Sequence, residues 1–384
     1  GRAGDDLDAL LARAAAFAPP AGSARTGAWT GTVQAGPDLR MEMALYVPPS
    51  YRPDRAWPLL FAHHGAGGRG EHAVALWRAV AEEHGVLVAA PTEPGGQEGY
   101  AFTAEERAAA MAGLRWVRRR LNVDETRIHL TGVSRGGHLT WDLGLRRPDR
   151  WASLLPMIGG PRLDTRGQNN LRYLEAAAHL PIRDLQGEDD DPRMLANLRL
   201  AFTRLREFGA KDATLLAFPG LGHDFRFDAV PWAEFLGAAR RDPLPSRVVC
   251  LAASPDEGRS HWAEILATDR SVKESFTPQV RATEWNAMDD AARRRALVEE
   301  AEKRTARLEV EMTSPGVFVA KSRGVRRFRL LLDRSMFDPA VPVKVTWNGR
   351  ERTRRVDGSA KVLLEEFVER FDRTFLPVAE ITVP

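Results

Sequence analysis

The sequence predicts an α/β protein in which a mostly parallel sheet, with helices on both faces, precedes a smaller β-rich part. Over the first 240 residues or so, short continuous apolar runs alternate with amphipathic stretches, as parallel strands covered on both faces require. After Asp242-Pro243-Leu244-Pro245 the pattern changes to short strands with strict alternation. We therefore predict a helical extension over 1–26, an α/β domain over 27–242 and a sandwich-like β-rich domain over 243–384.

The first domain should open with two antiparallel strands and continue with buried parallel ones. The predicted strands are 27–36, 39–47, 57–63, 86–90, 128–133, 152–158, 181–186 and 214–218. Amphipathic periodicity predicts helices over 71–84, from 103 and from 138, over 171–180, around 195–205 and up to about 240. A further helix, Asp5 to Phe17, ends at Pro19 and Pro20 before the sheet begins.

Alternating apolar residues predict the strands of the last domain. They lie in 306–312, 328–332 and 343–347, with helices over 289–303 and 361–371. Asn348-Gly349 directly after Trp347 is typical of a tight hairpin turn. Neither Trp262 nor Trp347 can be assigned to surface or core from the sequence.

Composition limits the classes of function. The net charge is +3, and 43% of the residues are hydrophobic and 28% charged, as in an ordinary globular protein. No apolar run approaches the roughly 20 residues of a membrane helix. The densest basic cluster, Arg115 with Arg118 to Arg120, shares a helix with an apolar face, which predicts a solvated helix face rather than nucleic-acid binding. The single cysteine, Cys250, excludes an intrachain disulfide and is expected to be a small buried hydrophobe.

The segment that carries chemistry is Gly132-Val133-Ser134-Arg135-Gly136, between an apolar run and an amphipathic one. This pattern predicts a nucleophilic serine on a sharp strand-to-helix turn. Side chains at either end of that turn would collide with the helix, and Gly132 and Gly136 avoid the collision.

Further motifs lie before and after the serine. His63-His64-Gly65-Ala66-Gly67-Gly68 lies upstream, Asp189-Asp190-Asp191 downstream, and Gly222-His223-Asp224 beyond that. Serine, then acid, then histidine is the order found in α/β-hydrolases. From about Leu45 to Arg240 the chain resembles serine esterases of the polyhydroxybutyrate-depolymerase, feruloyl-esterase and esterase D-like group, through "HHGAGG", "GVSRGG", "GEDDDP" and "PGLGHDF".

The resemblance implies a triad of Ser134 as nucleophile, His223 as base and an aspartate that orients the base. In the family, the acid follows the glycine that ends the preceding strand by three residues, which favours Asp190 over Asp191 and Asp189. The unused aspartates would cap the helix that begins near Pro192. The family's oxyanion hole implies the backbone amides of Ala66 and Arg135 as donors.

The remaining residues of the motifs are expected to shape the site. His64 and Gly65 would hold the oxyanion loop, and His63 would pack in the core or bond to a neighbouring loop. For the side chain of Arg135 we expect a surface salt bridge, with an acidic group on the substrate as the alternative. Adjacent histidines on a strand point to opposite faces, so we predict no metal site, and the chemistry requires no cofactor.

These observations predict a carboxylic-ester hydrolase that acts through an acyl-enzyme. Residues 159–180 leave room for one helix and a loop, so we expect an open site, without a large lid, for a small or polymeric ester; Tyr100 and Phe102 could line it. The alternatives are a prolyl-oligopeptidase-like peptidase and a binding protein on a hydrolase scaffold. The last domain could contact a polymer or another protein. A start without Met and the often secreted relatives favour export, whereas the lack of disulfides favours a reducing compartment.

Overall fold

The computed structural model describes residues 2–19, 25–95, 98–254 and 257–384. Pro20 and residues 21–24 of the predicted extension lie outside the described residues, as do residues 96–97 of the loop that follows the fourth strand. Within the described ranges, no helix is long and apolar enough to cross a membrane.

An eight-stranded sheet forms the first part of the molecule. Its strands are β1 Gly27–Gln34, β2 Arg40–Val47, β3 Trp57–His63, β4 Leu87–Thr92, β5 Val123–Val133, β6 Ser153–Met157, β7 Ile182–Gly187 and β8 Ala213–Phe218. They follow the order β1-β2-β4-β3-β5-β6-β7-β8, and only the pairings made by β1 and β2 are antiparallel. This arrangement is the α/β-hydrolase fold, and it confirms the predicted fold class and the antiparallel opening strands.

Helices cover both faces of this sheet. They are α2 Gly70–His84, α3 Ala104–Arg118, α4 Arg135–Arg146, α5 Leu174–Ala177, α6 Pro192–Glu207 and α7 Trp232–Ala238. Buried apolar residues of α2 and α7 belong to one core cluster, and those of α3, α4 and α6 belong to the other. The helix predicted over 171–180 was too long, because a 3-10 turn at Leu171–Tyr173 precedes a single α-helical turn.

Two smaller sheets form the C-terminal part. Their strands are β9 Arg247–Ala252, β10 Arg259–Ser260, β11 Ala263–Thr268, β12 Ala306–Ser314, β13 Val317–Arg323, β14 Val325–Leu332, β15 Val343–Trp347, β16 Arg350–Arg354 and β17 Ala379–Val383. One sheet has the order β10-β11-β14-β17 and the other β16-β15-β13-β12-β9. Both contribute to one apolar cluster, as a sandwich requires, and Asn348 and Gly349 have φ of 47° and 81° in the predicted hairpin.

The described part of the chain contains four further helices: α1 Arg2–Ala15, α8 Ala282–Ala287, α9 Asp290–Lys303 and α10 Ala360–Arg370. Helix α9 contacts α6, and its Val298 belongs to a core cluster of the α/β part. Helix α1 contacts α10, and its Leu7 and Ala14 belong to the apolar cluster of the two small sheets. Cys250 is buried in β9, and Trp262 is fully buried. The division of the chain into three segments at residues 26 and 242 stays a prediction.

The C-terminal part also covers one end of α3, and this corrects the interpretation of the basic cluster there. Arg118 is only 3% exposed and donates to the carbonyl oxygen of Arg370, at the end of α10. Arg119 and Arg120 are exposed, as expected for a solvated face. The apolar periodicity of α3 could not show that a segment about 250 residues further along the chain packs over Arg118.

Candidate active site

Ser134 occupies the sharp turn between β5 and α4. Its φ of 55° lies in the left-handed region that a non-glycine residue rarely adopts, and its amide donates to the carbonyl of Met157 at 2.8 Å. A Cβ on Gly132 would lie 2.3 Å from the carbonyl oxygen of Gly136. A Cβ on Gly136 would lie 2.4 Å from that of His63. The turn therefore requires glycine at both positions.

Three predicted residues meet above this turn. The Nε2 atom of His223 lies 2.8 Å from Oγ of Ser134, and its Nδ1 lies 2.8 Å from Oδ2 of Asp190. His223 lies on the loop after β8, and its side chain is 53% exposed, whereas the Asp190 side chain is 10% exposed. The structure thus brings the hydroxyl, the imidazole and the carboxylate into one hydrogen-bonded chain that is open to solvent at the imidazole.

The neighbouring aspartates are not part of this chain. Asp191 caps α6, since its Oδ1 accepts from the amide of Arg193 at 2.7 Å, as predicted for an unused aspartate. Asp189 donates its amide to the carbonyl of Leu221. No motif in the sequence pointed to Gln186, whose amide nitrogen donates to Oδ2 of Asp190 at 2.8 Å and holds the carboxylate beside the imidazole.

The glycine-rich loop after β3 lies directly against the serine. A Cβ on Gly65 would be 3.7 Å from Cβ of Ser134, and the loop closes through a bond from the Gly68 amide to the Gly65 carbonyl at 3.0 Å. Ala66 follows Gly65 in this loop. Arg135 is the first residue of α4, so its amide lies at the positive end of the helix dipole. Their predicted roles as oxyanion donors remain predictions.

The side chains of the two adjacent histidines both lie beside the carboxylate of Glu93, so they do not point to opposite faces as expected. Nδ1 of His64 lies 2.7 Å from the carbonyl oxygen of Gly65, and its Nε2 accepts from the amide of Glu93 at 3.2 Å. His63 makes a close Nδ1 contact with the Glu93 carboxylate and packs edge-on against Phe61. Across the described ranges, no group of three or more histidine, cysteine or acidic side chains has a metal-binding arrangement.

The side chain of Arg135 lies in the interior, and the expectation of a surface salt bridge was wrong. It is 2% exposed, and it donates to Glu93 at 2.5 Å and to Glu106 at 2.8 Å. Burial opposes ionisation of Glu93, but the charges of His63 and Arg135 outweigh burial and hold the pKa of this carboxyl below its ordinary value. Arg135 therefore ties the start of α4 to the loop after β4 and to α3.

The two aromatic residues proposed to line the site are both buried, at 7% exposure. The Tyr100 hydroxyl donates to Asp142 at 2.8 Å, and burial together with that carboxylate raises the pKa of Tyr100. Phe102 packs between Tyr100 and His138, a histidine one turn after Ser134 that no sequence motif marked as a site residue. Nδ1 of His138 lies 2.7 Å from the carbonyl oxygen of Gly160, and burial lowers the pKa of its imidazole.

Comparisons with known proteins extend only to solved structures. No protein-family model matches the sequence, and no curated protein matches it. A thermostable esterase is similar over 56% of this chain and 63% of its own, less than two thirds, with 23% identity and a TM-score of 0.46. A thermophilic esterase of Thermogutta terrifontis, with propionate bound, matches 55% of this chain and 91% of its own, with 19% identity and a TM-score of 0.45. An acylaminoacyl peptidase of Pyrococcus horikoshii matches 58% of this chain and 43% of its own, with 14% identity and a TM-score of 0.47.

Proposed function

We propose that the protein is a carboxylic-ester hydrolase that forms an acyl-enzyme on Ser134. The observation that carries this proposal is the imidazole of His223, which lies 2.8 Å from both the Ser134 hydroxyl and the Asp190 carboxylate. A serine hydroxyl is a poor nucleophile at neutral pH, and a base at this distance is what activates it.

In the proposed reaction, Nε2 of His223 accepts the proton of Ser134 as Oγ attacks the ester carbonyl carbon. The amides of Arg135 and Ala66 donate to the oxyanion of the tetrahedral intermediate. The imidazolium then protonates the leaving alcohol, the C–O bond breaks, and an acyl-enzyme remains. Water, deprotonated by the same imidazole, attacks the acyl carbon and releases the acid and the free hydroxyl of Ser134.

Asp190 supports both halves of this cycle without touching the substrate. Its Oδ2 accepts from Nδ1 of His223, which leaves Nε2 free to accept the serine proton, and its charge stabilises the imidazolium. Bonds from Gln186 and from the Asp191 amide hold the carboxylate in place. Gln186 is therefore a positioning residue in this proposal.

The surroundings of His223 favour substrates that approach from open solvent. Its side chain is 53% exposed. Between β6 and β7, where a lid would be inserted, the helices among the described residues are limited to the 3-10 turn Leu171–Tyr173 and the four residues of α5. Bulky or polymeric esters would therefore reach Ser134 as readily as small ones.

A fluorophosphonate probe tests the nucleophile. We expect it to label the wild type and Ser271→Ala, which removes a serine far along the chain, but not Ser134→Ala. Hydrolysis of p-nitrophenyl esters should fall by at least about 10³-fold in Ser134→Ala, because the nucleophile is lost. Labelling of Ser134→Ala at another serine would contradict the proposal.

A substrate panel tests the reaction class. The panel comprises p-nitrophenyl esters of rising acyl length, feruloyl esters, a polyester film and a p-nitroanilide matched to the best ester. We expect kcat/KM for the ester to exceed that for the anilide by at least about tenfold, or roughly 1.4 kcal/mol in activation free energy. Comparable values would assign a peptidase instead, and binding of a polymer without turnover of any ester would favour a binding scaffold.

A further inference from the structure

A cavity of about 400 Å³ lies between α3, the end of α4, the turn at 147–150 and the end of α10. It is separated from the nucleophile, because α4 begins beside Ser134 and lines the cavity only with Leu143 and Arg146, within its last four residues. Twelve residues of helix correspond to about 18 Å. The ionisable side chains of its wall are seven arginines and two glutamates, Glu257 and Glu369.

Carboxylates compensate several of these arginines. The ion pairs are Arg107–Asp142 at 3.0 Å, Arg146–Asp142 at 2.8 Å, Arg146–Glu257, Arg115–Glu369 at 3.3 Å and Arg370–Asp149. Arg118 takes part in no ion pair with the described residues, and Arg150 reaches only Asp149, at 3.8 Å. Positive charge at the wall is therefore poorly compensated at these two arginines.

The hydrogen bonds of the same two arginines show where acceptors are missing. Arg118 donates to one backbone carbonyl, and its Nε and Nη2 atoms are buried without a hydrogen-bond partner in the described part of the chain. Nε of Arg150 is likewise buried without a partner there, and its nearest carboxylate, Asp149, is already engaged by Arg370. Burial lowers the pKa of both guanidinium groups. The charge of Arg370 adds to this effect at Arg150, and the more distant carboxylates of Asp372 and Glu125 only partly oppose it at Arg118.

Burying these two guanidinium groups without acceptors costs folding free energy unless a ligand supplies the acceptors. A buried charge requires an opposite charge and hydrogen-bond acceptors, and removing one partner of a buried pair is strongly destabilising. Phosphate and carboxylate oxyanions would supply the missing negative charge and acceptors, since the guanidinium fork offers them two parallel donors. The volume lies within the range of small-molecule pockets, toward its lower end, which limits the ligand to a compact one.

We propose that this cavity is a binding site for a compact multivalent oxyanion, either a phosphate ester or a small di- or tricarboxylate. Arg118 and Arg150 are the residues that gain acceptors when the anion binds. The site is independent of the proposed esterase reaction, so it can be tested on the inactive Ser134→Ala variant as well as on the wild type.

Isothermal titration calorimetry at low ionic strength tests the proposal, with sodium pyrophosphate and sodium citrate as probes. We expect saturable 1:1 binding of at least one probe to the wild type and to Ser134→Ala, weakened by added salt. Binding of pyrophosphate alone identifies a phosphate site, and binding of citrate alone identifies a carboxylate site. A wild type that is folded by circular dichroism but binds neither probe would overturn the proposal.

Substitutions then locate the site. Arg118→Gln and Arg150→Gln should each weaken binding at least about tenfold, because each removes a guanidinium group that holds the anion. Arg120→Gln should leave it unchanged, because Arg120 is exposed just beyond the same helix and its guanidinium lies over the Trp116 ring. If Arg118→Gln does not fold, Arg150→Gln and Arg150→Lys carry the test. Undiminished binding to the folded Arg150→Gln variant, or displacement of the probe by equimolar chloride, would contradict the site.

Discussion

Two clusters of buried charge in this molecule are built in opposite ways. In the elbow cluster, Arg135 lies between two carboxylates, Glu93 and Glu106, beneath the nucleophile turn. In the interface cluster, the single carboxylate of Asp149 lies between two arginines, Arg370 and Arg150, where the C-terminal part meets the α/β part. The elbow cluster has more carboxylates than guanidinium groups, and the interface cluster has more guanidinium groups than carboxylates.

This difference determines how each cluster should respond to a substitution that removes one charged group. Loss of one buried partner leaves the other charge without compensation, which costs far more than the pair itself contributes. In the elbow cluster a second carboxylate remains for Arg135, but in the interface cluster Arg370 has no second carboxylate within 4.0 Å among the described residues. The same type of substitution should therefore cost more at the interface.

The largest effect is expected from Asp149→Asn. Burial opposes the charge of Asp149, but Arg370 and Arg150 hold the pKa of the carboxyl far below its ordinary value. Asp149 is therefore ionised in the folded protein. We expect the free energy of unfolding at pH 7 to fall by about 3–5 kcal/mol, measured by urea denaturation. Because a carboxyl with a lowered pKa loses its contribution as pH falls, the gap between variant and wild type should narrow below about pH 4. A loss under about 1 kcal/mol would show that the interface tolerates the uncompensated arginines.

Glu93→Gln should have a smaller effect on stability and a separate effect on activity. Glu106 still compensates Arg135, and the substituted side-chain amide retains part of the hydrogen bonding, so we expect a loss of about 2 kcal/mol. Under the proposed function, kcat should fall about tenfold with little change in KM, because His63, directly before the oxyanion loop, loses its charged partner, whereas His64 keeps its bond to the backbone amide of residue 93. A stability loss equal to that of Asp149→Asn would remove the contrast between the clusters.

The sequence predicted the α/β part better than the charges inside it. The strand over 57–63 has the predicted bounds because a parallel strand buried on both faces forms a continuous apolar run. The meeting of Ser134, His223 and Asp190 follows from motifs at strand ends, which the sheet brings to one edge. Arg135 was misplaced, because its partners lie 29 and 42 residues earlier, at positions that no local pattern connects to it.

The C-terminal part was predicted only in outline, for a related reason. Strands with clean alternation, such as 306–312, were found, but β13 was missed, although it pairs antiparallel with β12 and parallel with β15. Sequence alternation gives the buried face of a strand but not its neighbour. The burial of Arg118 depends on such a distant neighbour, α10, so the cationic cavity could not be predicted from either segment alone.

The buried side chain of His261 adds a pH dependence of stability to this comparison of buried charges. Burial, with the charges of Arg241 and Arg370, lowers the pKa of His261 to about 3, so the folded protein holds it neutral where an unfolded chain would bind a proton. Stability should therefore decrease as pH falls from about 6.5 toward 3. Asparagine tolerates the positive φ of 51° at this position, and His261→Asn should reduce the pH slope of the unfolding free energy by about 1.4 kcal/mol per unit. If the unfolding free energies of the wild type and His261→Asn, measured by urea denaturation, depend on pH in parallel, the neutral, buried state of His261 is contradicted.

The smallest effect is expected on the same helix that carries Arg370, at its exposed beginning. Lys361 and Glu365 form an i,i+4 pair at 3.8 Å, and their side chains are 79% and 66% exposed. Water and salt screen such a pair, so Lys361→Gln should change the free energy of unfolding by less than about 0.5 kcal/mol. Since α10 also carries the buried Arg370 pair, a comparable loss from Lys361→Gln and Asp149→Asn would mean that undocking of this helix, rather than burial of an uncompensated charge, determines both values.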